Sequence, residues 1–136
     1  MQRVFADTSY WIALFNPRDE PHQTAAATSR TYRHSRVVTS EMVLTEFLNS
    51  FSDHGQRLRR AAARAVEDLR EASQVAIVPQ TPQLFEKALR KYGEITDKSW
   101  SLTDCASFII MEEEKLTAAL THDRPFAQAG FQTLLR

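Results

Sequence analysis

The sequence predicts one α/β domain over residues 1–136, built on a mostly parallel sheet with helices on its faces. Three observations predict it. Short apolar or β-branched runs alternate with longer helical patterns from end to end, the order that gives parallel sheets with crossover helices. Only three glycines and five prolines punctuate the chain, with no repeat, low-complexity stretch or linker. A length of 136 residues also suits a single core of ordinary size.

Each element has its own signal. Gln2–Ala6 leans to β, with Val4 and Phe5 at its centre. Asp7-Thr8-Ser9 offers capping chemistry before a helix over Tyr10–Phe15. A second helix is expected from Asp19-Glu20-Pro21, acids and proline in its first turn, to about His34. Arg36–Thr39 is a second strand. Ser40 caps a helix over Glu41–Asp53, with Val43, Leu44, Phe47, Leu48 and Phe51 as its apolar set, and His54-Gly55 ends it. Gln56–Ala72, rich in alanine and arginine, is helical. Val75–Val78 is a third strand stopped by Pro79. Thr81–Lys91 is a helix ended at Gly93, and Tyr92–Leu102 reads as a loop. Ser101 or Thr103 caps a helix to about Lys115. Thr117–Thr121 is a fourth strand, Arg124–Gln128 a short helical turn, and Phe131–Leu135 a last strand.

Composition narrows the chemistry. The lone cysteine, Cys105, makes an internal disulfide impossible and reads as a small core residue. With four histidines beside it, a Cys/His zinc cluster is excluded. No apolar run reaches the roughly 18–20 residues of a membrane span, and the N-terminus lacks a signal-peptide apolar region, so a soluble cytoplasmic protein is expected. Basic and acidic residues balance at 17 each, which argues against a nucleic-acid partner. Four acids bound to metal, however, would leave 13 acids against the 17 basic residues.

Sites in parallel sheets form beyond the carboxyl ends of the strands. Asp7 directly follows the first strand, and Asp123 follows the fourth. Asp104 opens the helix that leads into that fourth strand, so it falls at the same edge. Glu46 lies about a turn and a half into its helix, roughly 8 Å along the axis, and a long side chain tilts back toward the helix N-terminus. Each acid also has a plainer role: Asp7 and Asp123 as helix caps, Asp104 as a first-turn acid. Glu46 falls outside the Val43/Phe47/Phe51 stripe, so on pattern it is solvated. Gathered together, ionised carboxylates near 5 Å apart at an effective dielectric near 20 repel by roughly 3 kcal/mol per pair. Such a cluster must take up protons or a cation. An all-oxygen site suits Mg²⁺ or Mn²⁺, ions that polarise phosphate oxygens and acidify water.

Several segments together resemble the PIN domain, and more narrowly its VapC-type toxin ribonucleases. They are Ala6-Asp7-Thr8-Ser9 with Ile12-Ala13-Leu14, Thr45-Glu46, Ser101-Leu102-Thr103-Asp104-Cys105-Ala106, and Thr121-His122-Asp123-Arg124-Pro125-Phe126 with Gly130-Phe131. The resemblance runs in order from Asp7 to Gly130. It implies a three-layer fold with a five-stranded, mostly parallel sheet flanked by helices. It implies a Mg²⁺- or Mn²⁺-dependent endoribonuclease that leaves 5′-phosphate and 3′-hydroxyl ends, is often paired with an antitoxin, and is often a homodimer. On this basis Asp7, Glu46, Asp104 and Asp123 are the catalytic metal ligands, and Ser9 and Thr121 are supporting hydroxyls. Asp97 is either an additional acid near the site or a loop residue. His122 departs from the pattern, where an apolar or aromatic residue is usual, and leaves substrate contact open.

Arg57, Arg60 and Arg64 share one face of the arginine-rich helix. They read as a solvated face, as phosphate contacts or as part of an antitoxin surface. Trp100 is a candidate for base stacking or for partial burial. Two other functions stand beside RNA hydrolysis. One is a non-catalytic RNA- or partner-binding module of the same fold. The other is a metal-dependent phosphatase working through an aspartyl-phosphate at Asp7, although Ser9 occupies the place of the second acid in its usual Asp-x-Asp pair.

Overall fold

The computed structural model describes residues 2–136. Among these residues five strands are separated by seven helices, in pairs except for the last: β1 (Arg3–Ala6), α1 (Thr8–Phe15), α2 (His22–Thr31), β2 (Arg36–Ser40), α3 (Glu41–Ser50), α4 (Gln56–Glu71), β3 (Val75–Val78), α5 (Pro82–Glu94), α6 (Leu102–Glu113), β4 (Ala118–Leu120), α7 (Arg124–Gln128) and β5 (Gln132–Thr133). The sheet order is β3-β2-β1-β4-β5, and every pairing is parallel. Helices on both faces leave Val4, Phe5 and Ala6 of β1 and Ala119 and Leu120 of β4 without solvent contact, as a doubly covered parallel sheet requires. β3 is an edge strand, and its four apolar residues are only half-buried.

The strand order matters for function. From β1 the chain winds one way through β2 to β3, then returns across β1 to place β4 on its other side. The direction reverses between β1 and β4, and such a switch point leaves a crevice at the carboxyl ends of the two strands. Asp7 and Thr121 immediately follow these ends.

Several boundaries differ from the sequence reading. The chain turns from Asn16 through Asp19 by backbone hydrogen bonds, so α2 starts at His22 and leaves Asp19 and Glu20 outside it. Helix α3 stops at Ser50 rather than Asp53, as Phe51 turns in to pack its ring on Phe15 and Phe47. The chain then swings into α4 through Gly55, whose φ of +89° suits a residue without Cβ. Gly93 does not end α5, which continues to Glu94. The last strand shortens to two residues, although Leu134 and Leu135 still donate to backbone carbonyls of Ala119 and Thr121. Among the described residues no helix is long and apolar enough to cross a membrane.

Candidate active site

Asp7 occupies the N-cap position of α1, but its side chain caps nothing. The carboxylate instead accepts a hydrogen bond from the Thr121 hydroxyl at 2.9 Å and a longer one from Ser9 at 3.4 Å. The Ser9 and Thr121 hydroxyls are 3.1 Å apart, and Thr121 also accepts from the backbone N–H of Asp123 at 3.1 Å. One hydroxyl therefore ties the ends of β1 and β4 together and sets Asp123 beside them. Beneath this, Thr39 donates to the Ala6 carbonyl at 2.9 Å and accepts from the Trp11 indole at 3.1 Å. The floor under Asp7 is thus pinned from β2 and α1.

Only 2% of Asp7 is exposed. Burial first, and then the charge of Asp123, push its carboxyl up to about 8; hydrogen bonds from Thr8 and Thr121 oppose this, and Asp104 adds a smaller upward push. Asp104 is also raised, chiefly by burial, with Glu46 and Asp123 adding to it and Ser101 opposing. Asp104 does have the helix-end role. Ser101 and Asp104 form a reciprocal capping box at the start of α6, at 3.0 Å in each direction. Asp123 sits at the N-cap position of α7 without a side-chain cap.

Glu46 corrects the pattern reading, which left it solvated. It is half-buried and accepts a hydrogen bond from the Thr8 hydroxyl at 2.8 Å. Helix α1 packs against α3 and brings Thr8 to it. Helical angles within α3 alone cannot register a partner on another helix. Thr8 is the residue that sequence reasoning missed. Its only signal was adjacency to Asp7, which fitted capping equally well.

The acids thus share one edge and feel one another's charge. Among the described residues, however, no three acids stand close enough to hold an ion as they are posed. The poses explain this: Asp104 is drawn to the Ser101 backbone N–H and Glu46 to Thr8. Each of these hydrogen bonds uses one carboxylate oxygen, Oδ2 of Asp104 and Oε1 of Glu46, and leaves the other oxygen to turn toward a shared ion. Among the described residues no cationic side chain pairs with the buried Asp7 carboxyl, and the donor set is entirely oxygen. Both features fit a divalent cation of the Mg²⁺ or Mn²⁺ kind.

The PIN domain family model matches residues 4–132. The chain belongs to the PIN domain family. This PIN chain is 30% identical to the 23S rRNA-specific endonuclease VapC20 of Mycobacterium tuberculosis over 128 residues, covering 94% of this chain and 95% of that protein. The crystal structure of VapC20, described as a sarcin–ricin loop cleaving toxin, superposes with a TM-score of 0.82 at 31% identity, covering 94% and 95% of the two chains. PAE2754 of Pyrobaculum aerophilum shares the fold, with a TM-score of 0.63 at 16% identity and coverage of 98% and 90%. The five-stranded parallel PIN fold and the VapC-type likeness are as the motifs imply.

The remaining candidates lie elsewhere. Asp97 is exposed in the loop before α6, with Lys98 at 3.0 Å; that hydrogen bond and charge hold its carboxyl below the usual range. Trp100 is half-buried, its ring edge-on to Phe108 at 4.9 Å and its indole N–H donating to Gln128. Arg57, Arg60 and Arg64 are all exposed on the side of α4 opposite its inward residues Ala62, Ala65, Val66 and Leu69. Arg57 lines a groove with Phe15 and Arg18 at the far end of α1, about 12 Å of helix from Asp7.

Proposed function

We propose that this PIN protein is a Mg²⁺- or Mn²⁺-dependent endoribonuclease, cytoplasmic, and the toxin of a toxin–antitoxin pair. The observation that carries the reading is a buried, uncompensated Asp7 at the β1/β4 crevice with Asp104, Asp123 and Glu46 at the same edge. Likeness to an rRNA endonuclease over nearly the whole chain supports RNA as substrate, and makes ribosomal RNA the first substrate to test.

In this reading Asp7, Asp104 and Asp123 hold one or two ions, with Glu46 directly or through water. An ion held there would supply charge neutralisation at the phosphate oxygens and lower the pKa of water. The protein's own groups fix where this happens. Thr121 and Ser9 orient the Asp7 carboxylate, Thr8 holds Glu46, and Ser101 sets Asp104 at the head of α6. The water's oxygen bonds to phosphorus as the bond to the 3′-oxygen breaks, leaving 5′-phosphate and 3′-hydroxyl ends. No covalent enzyme intermediate is needed. Ser9, standing where an Asp-x-Asp phosphatase carries its second acid, donates to Asp7 instead.

Cleavage of RNA with Mg²⁺ or Mn²⁺ by Asp7→Asn and Asp104→Asn proteins tests the assignment, with Mn²⁺ binding followed by calorimetry. Full activity in either variant would sink it. Retained RNA binding without Mn²⁺ binding in the unaltered protein would favour a non-catalytic module.

Two partner surfaces belong to this reading. An apolar cleft among α1, α3 and α4, lined by Trp11, Leu14, Phe15, Phe47, Ala65 and Leu69, suits an apolar antitoxin segment, with Arg57 in the adjoining groove. Phe85, Leu89 and Tyr92, spaced along one side of α5, are 41%, 51% and 52% exposed. Such a stripe suits a homodimer. The dimer is expected to dissociate in Leu89→Glu, as read by light scattering; an unchanged mass would remove α5 from the interface.

A further inference from the structure

Beside the acids lies a second, differently charged cleft. It is about 400 Å³ and is lined by Ser99, His122, Asp123, Arg124, Pro125 and Gln128. It adjoins the acidic pocket, because Asp123 belongs to both. We propose that this cleft is a phosphate-recognition subsite, with Arg124 and His122 gripping the RNA phosphate that adjoins the scissile one. The proposal rests on the ribonuclease reading and adds to it the residues that place the substrate strand.

The donors carry the argument. Arg124 is exposed and makes no ion pair or side-chain hydrogen bond among the described residues. Its planar fork suits phosphate oxygens. The half-exposed His122 imidazole stands 3.5 Å from Asp123, so it faces the boundary between the two pockets. Gln128 uses its amide oxygen to accept from the Trp100 indole at 2.8 Å, which leaves its NH₂ group to donate. Trp100 is held in turn by Phe108, and Phe108 by Phe126 of α7. The wall of the cleft is therefore fixed before any ligand arrives. Ser99 adds a hydroxyl. The only anion on the lining is Asp123, a predicted metal ligand.

The physical need is plain. A pocket of four carboxylates repels a polyanion, and Lys98, in the loop before α6, is already paired with Asp97. A guanidinium directly after Asp123 supplies local attraction and register without joining the chemistry. The volume lies at the small end of ligand clefts, enough for one phosphate and part of its sugar.

The test compares Arg124→Ala, Arg124→Lys and His122→Ala with the unaltered protein. The probes are a labelled stem–loop RNA carrying the sarcin–ricin loop sequence and a labelled single-stranded RNA of mixed sequence. Arg36→Ala serves as control, since Arg36 lies at the amino end of β2, across the sheet from the site. KM in Arg124→Ala is expected to rise roughly tenfold, with kcat within about twofold and Mn²⁺ affinity by calorimetry unchanged. The salt dependence of RNA binding should flatten by about one phosphate contact, and Arg124→Lys should recover part of the loss. Unaltered KM and salt slope in both Arg124→Ala and His122→Ala, with RNA still cleaved, would overturn the subsite and leave the ribonuclease reading standing. Failure of the unaltered protein to cleave either RNA would overturn both.

Discussion

The carboxyl edge of the sheet and the outer face of α4 are both crowded with like charge, and the fold treats them in opposite ways. Arg57, Arg60 and Arg64 stand in water; Arg64 meets Asp68 at 3.5 Å with both side chains largely exposed. At high dielectric their mutual repulsion is below about 1 kcal/mol and salt screens it further. Asp7 carries the same kind of crowding into a place with almost no water, and there its carboxyl is displaced to about 8. Spacing in the sequence creates neighbours, but desolvation decides whether neighbouring charges become chemistry.

The largest expected effect follows from removing the buried charge. Asp7→Asn and Asp104→Asn should lower RNA cleavage about a hundredfold or more, since each deletes a charged oxygen ligand; a loss under about threefold would break the contrast between the two regions. Next comes stability. The folded-state pKa of Asp7 lies above its unfolded value near 3.9, so the native protein keeps a proton that the unfolded chain releases. The contribution of Asp7 to metal-free stability should therefore be fully present below about pH 4 and be lost as pH rises toward 8, by roughly 2–4 kcal/mol. Asp7→Asn should flatten this decline and raise Tm at pH 8 by roughly 5 °C or more. Mn²⁺ should restore the unaltered protein and not the variant. Thermal melts across pH, with chelator and with Mn²⁺, check all three; a metal-free pH dependence that is the same in the unaltered protein and in Asp7→Asn would contradict the assigned environment.

A smaller effect tests how the edge is organised. Thr8→Val removes the 2.8 Å hydrogen bond that holds Glu46 and should slow cleavage roughly 3- to 10-fold with little change in Tm. Activity equal to the unaltered protein would mean that Glu46 needs no such positioning. The smallest effect belongs to the solvated arginines. Arg60→Ala with Arg64→Ala should leave cleavage within about twofold and stability within about 0.5 kcal/mol; a tenfold loss of cleavage would show that this face meets RNA.

Much of the fold was legible because its signals are local. The apolar run at Val4-Phe5, the Ser40 cap and the Val75–Val78 strand ended by Pro79 each announce themselves within a few residues, and each appears in the structure. The errors fell where a local signal competes with packing. Gly93 reads as a stop, yet α5 continues because Gly93 does not adopt a positive φ there. Phe51 reads as helical, yet it leaves α3 for the aromatic cluster with Phe15 and Phe47.

The sequence by itself determined the alternation of strands and helices, and from it the placing of Asp7, Asp104 and Asp123 at one edge. That placement needs only chain direction, since in a parallel sheet every strand ends, and every crossover helix begins, on the same side. Tertiary structure alone decided the rest. The reversal between β1 and β4 lets Thr121 reach Asp7 across 114 positions of chain. The packing of α1 on α3 draws Glu46 out of solvent to Thr8. Burial of Asp7 raises its carboxyl while the arginines of α4 stay in water. Hydrogen bonds and desolvation depend on what lies nearby in space, and residue spacing along one element does not carry that information.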